Sequence, residues 1–337
     1  MALATVRNNV NTFRNNLGSV GACWPPRLDR GKVLGRKGTI HERGNDRLKG
    51  FADVLVDKNN AFSILRNVRD EGNHQEVTRI TLRALVRHQD LSTICRNTAS
   101  ECGFLIEAII PLGPRYDNTF IVYFGCNSSD RTVSDDIGEQ QTAEIKIASV
   151  RKPLSSGELF ASVNSNGYAI DREIDTANGD MDRLVKLYQE CLPLYFVELD
   201  RNNLISILTN SENSVVVIRD NGTIVSAAVA EHATIQVGDI TLPLVELSEC
   251  ATDPEYRRRG LVSATLHSLI LSLTPETIIY SEARAPHLPI NVALRKNSLS
   301  YCGTLPKHCI IGGAESLEGN NGFMDMEGLN VWSMVMQ

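Results

Sequence analysis

Residues Leu244–Thr274 read LVELSECATDPEYRRRGLVSATLHSLILSLT. The stretch opens as a strand carrying the carboxylate of Glu246 and turns at Asp253-Pro254. It then passes the arginines Arg257, Arg258 and Arg259 and the glycine Gly260, and continues as a long apolar helix over 257–274. This order sets backbone N–H groups at a helix N-terminus, where they face an anionic, phosphate-bearing ligand.

Working outward, 337 residues are enough for two domains, each with its own core. A hydrophobic content of 42% and a charged content of 22% are those of an ordinary globular chain. The net charge of −6 argues against a general nucleic-acid binder, which needs clustered Lys and Arg, and it suits a cationic small substrate. Eight cysteines are scattered without a C-x-x-C pair or a Cys/His cluster of zinc spacing, so no metal is expected. They read as free thiols of a reducing, cytoplasmic compartment. No apolar run approaches the ~20 residues of a membrane span, so no membrane partner is expected. The first 28 residues carry Arg7, Arg14 and Arg27 and no acid, but they are Asn-rich and lack an amphipathic face. Residues 1–36, broken by Pro25-Pro26, are therefore expected to be a poorly ordered arm.

The expected architecture is a mixed α/β sheet protein in two units. A first α/β domain spans 37–130. It has strands at Phe51–Val56, Val77–Leu82, Phe104–Ile110 and Thr119–Phe124, and helices at Asn60–Glu71 and Asp90–Cys102, the second opened by Asp90 as N-cap. It shows no recognisable catalytic group. Residues 131–166, rich in Ser, Asp, Gly, Glu and Gln at their start, read as a linker. The second domain, 167–337, starts with a strand at Tyr168–Glu173 and helices at Asp180–Leu192 and Phe196–Leu208. Antiparallel strands follow at Ser214–Arg219, Thr223–Glu231 and Ile240–Ala251, separated by the turn signals Asp220-Asn221-Gly222 and Gly238-Asp239. After the long helix come a strand at Thr277–Ala285, a helix from about Pro289 to Asn297, and strands at Tyr301–Ile310 and Leu329–Met336, the last two flanking a Gly-rich acidic loop.

This element order resembles the GNAT superfamily of acetyltransferases. The turn supplies the family's Arg/Gln-x-x-Gly-x-Gly/Ala motif as Arg257-Arg258-Arg259-Gly260-Leu261-Val262, with Val262 standing where Gly or Ala is usual. Ile40-His41-Glu42, Asn45-Asp46-Arg47, Glu107-Ala108-Ile109-Ile110-Pro111, Cys250-Ala251-Thr252, Glu282-Ala283-Arg284-Ala285, Tyr301-Cys302-Gly303-Thr304 and Leu329-Asn330-Val331-Trp332 together are similar to β-lysine N-acetyltransferases. The resemblance implies a smaller GNAT-like domain ahead of a GNAT catalytic domain. It also implies acetyl-CoA as co-substrate and a small diamino acid as acceptor. The product, N(ε)-acetyl-β-lysine, would be a compatible solute made under osmotic stress.

The chemistry needed is deprotonation of an alkylammonium of pKa about 10.4 and a thioester held still with its oxyanion stabilised. Backbone amides of Arg258, Arg259, Gly260, Leu261, Val262 and Ser263 would face the pyrophosphate, and the arginine side chains would add phosphate contacts. The resemblance implies that the strand carrying Cys250, Ala251 and Thr252 splays from its parallel neighbour to pair with pantetheine, and that Asn291 touches the same arm. Cys250 itself reads as a small buried hydrophobe.

Glu246 is the expected general base, on the same strand face as Cys250 by the period of two. A substrate-ammonium ligand and a plain strand carboxylate are its other readings. Glu249 points the other way unless a bulge re-aims it. The tyrosine that many family members use as acid falls on Leu294, and Tyr301 reads as packing. Glu282 and Arg284, at the end of a buried strand, are expected to bind the ammonium and carboxylate of a zwitterionic acceptor, against the alternative of a salt bridge to each other. His232 and His267 read as surface or helix-face residues. A catalytically inactive acyl-CoA-binding module is the reading from another class.

Overall fold

The computed structural model describes residues 39–42, 47–55, 57–116, 118–127, 135–175, 179–192, 200–208, 213–237, 239–309 and 327–336. The expected 1–36 arm lies outside these, as do Pro193, the start of the helix expected from Phe196, and most of the loop expected over 312–328. The N-terminal half holds β1 (Thr39–Glu42), β2 (Arg47–Leu55), α1 (Lys58–His74), β3 (Arg79–Arg87), α2 (88–101), β4 (Leu105–Pro111) and β5 (Thr119–Asn127). Helix α2 starts at His88 rather than Asp90 and has a π-helical middle, Thr93–Thr98.

Two helices follow, α3 (Asp135–Ser149) and α4 (Ser156–Asn166), where a linker was expected. Ala148, Leu159 and Val163 are buried against the C-terminal half. Ser155 and Glu158 cap α4 reciprocally, and Gly167 ends it in the left-handed region at φ 68°.

The C-terminal half continues with β6 (Ala169–Asp171), α5 (Gly179–Cys191), α6 (Arg201–Leu208), β7 (Asn213–Asp220), β8 (Thr223–Val237), β9 (Ile240–Thr252), α7 (Leu261–Ile270), β10 (Ile278–Arg284), α8 (Leu288–Lys296), β11 (Ser300–Cys309) and β12 (Glu327–Val335). Helix α7 is shorter than the expected 257–274. Arg258 and Gly260 sit at φ 68° and 77°, which no helix admits, and i→i+3 bonds from Ser272 to Leu269 and Leu273 to Ile270 tighten its end.

The twelve strands among the described residues form one mixed sheet in the order β1-β2-β3-β5-β4-β11-β12-β10-β9-β8-β7-β6. The order is symmetrical about the β4–β11 contact. In the N-terminal half β2 and β3 are parallel, then β3/β5 and β5/β4 antiparallel; β9/β10, β10/β12 and β12/β11 repeat that pattern. Even the bulges match. One interrupts β4 between Ile106 and Ala108, and its counterpart interrupts β11 between Tyr301 and Gly303. The unit β2–α1–β3–α2–β4–β5 is therefore a structural repeat of β9–α7–β10–α8–β11–β12, joined to it where Ala108 faces Gly303. Gly303, at φ 147°, is required there: a Cβ would lie 2.1 Å from the carbonyl oxygen of Glu107.

One face of the C-terminal sheet packs on α7 and α8 through Val245, Leu247, Ile279, Ala283, Leu266 and Leu294. The other face is covered at β7–β8 by α5 and α6. Over β9–β12 it meets the N-terminal sheet, with Leu85, Ile110, Ile121 and Tyr123 against Leu244, Ile278, Leu305 and Val331 in one shared core. The second face of the N-terminal sheet is closed by α1 and α2. The two halves thus bury each other's apolar faces, which a helix-covered sheet of this size otherwise leaves to water.

Candidate active site

Strands β9 and β10 pair in parallel over only three residues, Leu244–Ile278, Val245–Ile279 and Glu246–Tyr280. Ser281 Oγ then donates to the Leu247 carbonyl at 2.8 Å, and beyond this link the strands part. β9 runs on to Thr252 along β8, while β10 runs on to Arg284 along β12. The result is a fork whose inner β9 edge has backbone groups without a strand partner among the described residues. Where β9 lines the fork it also bulges: Glu249 has φ 47°, and the register with β8 slips between Ser248 and Ala251.

At the mouth of the fork Asp253 caps the turn by accepting from the Glu255 amide at 2.9 Å, and Pro254 fits its first position. Arg257, Arg258, Arg259 and Gly260 are exposed. The first helical bond is from Ala264 to the Gly260 carbonyl at 3.1 Å, so among the described residues no backbone carbonyl accepts from the amides of Leu261, Val262 and Ser263. An unpaired strand edge running into a helix N-terminus fits a ligand with an amide-bearing arm and a pyrophosphate. Arg259 is partly committed elsewhere: it donates to Tyr168 Oη at 2.6 Å and lies over the Tyr256 ring at 4.9 Å.

Residues 176–274 match the family model described as acetyltransferase (GNAT) domain. The chain carries a GNAT acetyltransferase domain. It is 30% identical over 144 residues to the N-acetyltransferase YodP of Bacillus subtilis, covering 42% of this chain and 50% of that one. It is 28% identical over 127 residues to a beta-lysine N(6)-acetyltransferase of Methanococcus maripaludis, covering 37% and 44%. The chain therefore spans half or less of the length of these curated relatives. A crystal structure of Arabidopsis thaliana NAA60 in complex with acetyl-CoA aligns with 50% of this chain and 98% of its own, at 13% identity and a TM-score of 0.40.

Glu246 lies at the apex of the fork and is half-buried on the sheet face shared with the N-terminal half. Tyr280 Oη donates to its Oε2 at 2.5 Å. Glu231, directly opposite on β8, accepts from Ser248 Oγ at 2.7 Å. Cys250 does not share this face. The bulge at Glu249 reverses the alternation, so Ala251 continues the face of Glu246 while Cys250 packs with the α7–α8 core. Burial and the neighbouring Glu249 push the Cys250 thiol up to about 12, which keeps it protonated and inert. Glu249 is buried, and its carbonyl accepts from Tyr188 Oη at 2.9 Å.

Three expectations fail in the folded chain. Asn291 is fully buried and its side chain is spent on the protein. Its amide nitrogen donates to the carbonyls of Arg284 and His287, and its oxygen accepts from Asn330 and Trp332, so it braces β10, α8 and β12. Arg284 is held by both oxygens of Glu327 at 2.8 and 2.6 Å, which fill the place expected for a substrate carboxylate. Glu282 pairs neither with Arg284 nor outward to solvent; Arg83 of β3 donates to it at 2.5 Å and Tyr123 of β5 at 3.2 Å. Leu294 is core, and Tyr301 bonds Thr304 while its ring meets Trp332 edge-on. His232 is half-buried and bonded to Ser214, and His267 to Ser156.

The first half, in which no catalytic group is recognisable from sequence, supplies several charged groups at the junction. Arg83 lies between the rings of Tyr123 and Tyr280, 5.1 and 5.4 Å from their centroids, and donates to Tyr280 Oη at 3.0 Å. Arg79, wholly buried, donates to Glu107, to Asn127 and to His308 Nδ1. The signal was present in RITLRALVR: Arg79, Thr81 and Arg83 share one face of a strand whose opposite face, Ile80, Leu82, Ala84 and Val86, is apolar, and a buried arginine is rare without a partner.

Burial pushes the Glu282 carboxyl up, but Arg83, then Lys49 and Arg47, and the Tyr123 bond outweigh it and hold it below the usual range. Among the described residues the N-terminal repeat differs from its C-terminal counterpart at both places. β2 and β3 stay paired from Arg47–Arg79 to Leu55–Val86, and the Asp57 carboxylate itself accepts from the Asn60 amide at the start of α1.

Proposed function

We propose that the chain transfers acetyl from acetyl-CoA to the primary amine of a small diamino acid, with the ε-amino group of β-lysine the first choice and N(ε)-acetyl-β-lysine, a compatible solute made under osmotic stress, the product. The observation that carries this reading is the parting of β9 and β10 immediately after the Glu246–Tyr280 pair, which puts a carboxylate at the apex of a cofactor-shaped fork. The amides of Leu261, Val262 and Ser263 hold the pyrophosphate, with Arg257 and Arg258 beside them. The free edge of β9 from Ser248 to Thr252 holds the pantetheine arm, and an amide near Cys250 or Ala251 polarises the thioester carbonyl. Acetyl-CoA, when bound, supplies the activated acetyl group. An alkylammonium is almost wholly protonated at neutral pH, so it must lose a proton before it can attack. Glu246 accepts that proton, held by Tyr280 and open to the shared face. The choice of β-lysine is supported by the 28% identical archaeal relative and by the acidic groups Glu231 and Glu246 side by side on that face.

The test is CoA release from acetyl-CoA across β-lysine, lysine, ornithine, spermidine and a lysine peptide. Turnover is expected with β-lysine and reduced by roughly 10²–10⁴ in Glu246→Gln, with acetyl-CoA affinity unchanged. Tight acetyl-CoA binding without CoA release on any amine would leave only an acyl-CoA-binding module. Activity confined to the peptide would exclude the small solute.

A further inference from the structure

The pseudo-symmetry of the sheet puts Arg83 and Glu282 in equivalent places. Arg83 faces Tyr123, which faces Ala108; Glu282 faces Val331, which faces Gly303; and Ala108 faces Gly303 across the junction. These two equivalent residues are the pair that joins at 2.5 Å. The second arm of the guanidinium does something the pairing does not require. Nη1 donates to Tyr280 Oη at 3.0 Å, and the same hydroxyl donates to Glu246 Oε2 at 2.5 Å. The chain guanidinium–phenol–carboxylate runs from the N-terminal repeat to the apex of the fork. A phenol oxygen that accepts from a cation is a stronger donor, and a donor to a carboxylate favours its ionised form.

Resting on the acetyltransferase reading above, we infer that Arg83 is a positioning residue for the acceptor side of the site: through Tyr280 it orients Glu246, and the N-terminal repeat is the wall that delivers it. Arg83 does this without meeting the acceptor itself. Among the described residues, Glu246 has Glu231 of β8 opposite it and Tyr280 of β10 bonded to it, and it acts by charge on Arg83 of β3 and Tyr123 of β5. Loss of the Tyr280 hydroxyl removes the donor to Glu246, and loss of the Arg83 cation removes the group that fixes that donor. Both changes therefore lower kcat for the amine and leave acetyl-CoA binding alone.

The test compares Arg83→Gln, Arg83→Lys, Tyr280→Phe and the Arg83→Gln/Tyr280→Phe double variant in the full chain, using the most active amine of the panel. The kcat for the amine should fall roughly tenfold in Arg83→Gln and in Tyr280→Phe, with little further fall in the double variant. The Kd of acetyl-CoA should stay unchanged throughout. Arg83→Lys, which keeps the charge beside Glu282, should retain the fold and recover part of kcat. Tyr280→Phe keeps the ring packing and carries the test if Arg83→Gln fails to fold. An unchanged kcat in Tyr280→Phe, or fully additive losses in the double variant, would overturn the role. The carboxyl ¹³C resonance of Glu246 in glutamate-labelled protein, assigned with Glu246→Gln, reports the same contact without turnover. A resonance that moves in these variants while no amine is acetylated would fail the acetyltransferase reading alone.

Discussion

At the scale of single residues, protonation states separate the groups that can react from those that cannot. Cys250 lies in the fork but on the helix-packed side, with its thiol pushed up to about 12. A free thiol near 8.5 would be partly ionised at pH 8, and this one is not. Cys250→Ser is expected to keep kcat, and iodoacetamide at pH 7 should alkylate Cys250 far more slowly than free cysteine; rapid alkylation with loss of activity would make it a nucleophile.

Glu282 carries the opposite sign. Its carboxyl is held below the usual range in the fold, so at moderately acid pH it is ionised when folded and protonated when unfolded. The stabilisation it contributes is complete above the ordinary carboxylate pKa of about 4.3 and is lost as pH falls through the lower folded value. Urea unfolding should therefore show Glu282→Gln less stable than the parent at pH 7, with the gap narrowing below about pH 4. The cost at pH 7 is that of leaving Arg83 buried without its carboxylate, about 3–5 kcal/mol. A constant gap from pH 7 to pH 3 would show that the pair contributes nothing through charge.

At the scale of elements, the turn before α7 depends on backbone conformation more than on side-chain charge. Gly260 sits at φ 77° with nothing within 4 Å of where a Cβ would be, so space is not its reason; the left-handed backbone is. An alanine there adds about 1–2 kcal/mol of strain. Relief of that strain would turn the amides of Leu261, Val262 and Ser263 out of alignment. Calorimetry of Gly260→Ala is expected to give a Kd for acetyl-CoA raised roughly tenfold; an unchanged Kd would mean that the pyrophosphate is held elsewhere. This turn was plain in the sequence because Asp253-Pro254 and Gly260 act through their own backbone. The helix α4 was equally local, with Ser155 and Glu158 at capping-box spacing, yet the polar composition around it obscured the signal.

At the scale of the molecule, the duplicated unit has a division of labour. The C-terminal copy opens between β9 and β10 and starts its helix with uncapped amides. The N-terminal copy keeps its strands paired and caps its helix with Asp57. One equivalent of acetyl-CoA per chain is therefore expected by calorimetry, and two equivalents would contradict the closed reading of the β2–β3 pair. The N-terminal copy contributes instead a buried polar face, led by Arg79 and Arg83, and half of a shared apolar core.

The sequence by itself determined the order of strands and helices in the C-terminal half and the turn from Asp253 to Gly260. Each of these follows from periodicity, glycine and proline over a few neighbouring residues. Only the tertiary structure decided what those groups meet. Arg83 and Glu282 are 199 positions apart, and Arg284 and Glu327 are 43 apart with a strand pair between them. A strand's alternation says which face a charge is on, but the charge opposite depends on how the whole sheet folds over itself. The same holds for Cys250, whose face was changed by one extra residue in a bulge, and for Asn291, whose oxygen was claimed by the distant Asn330 and Trp332.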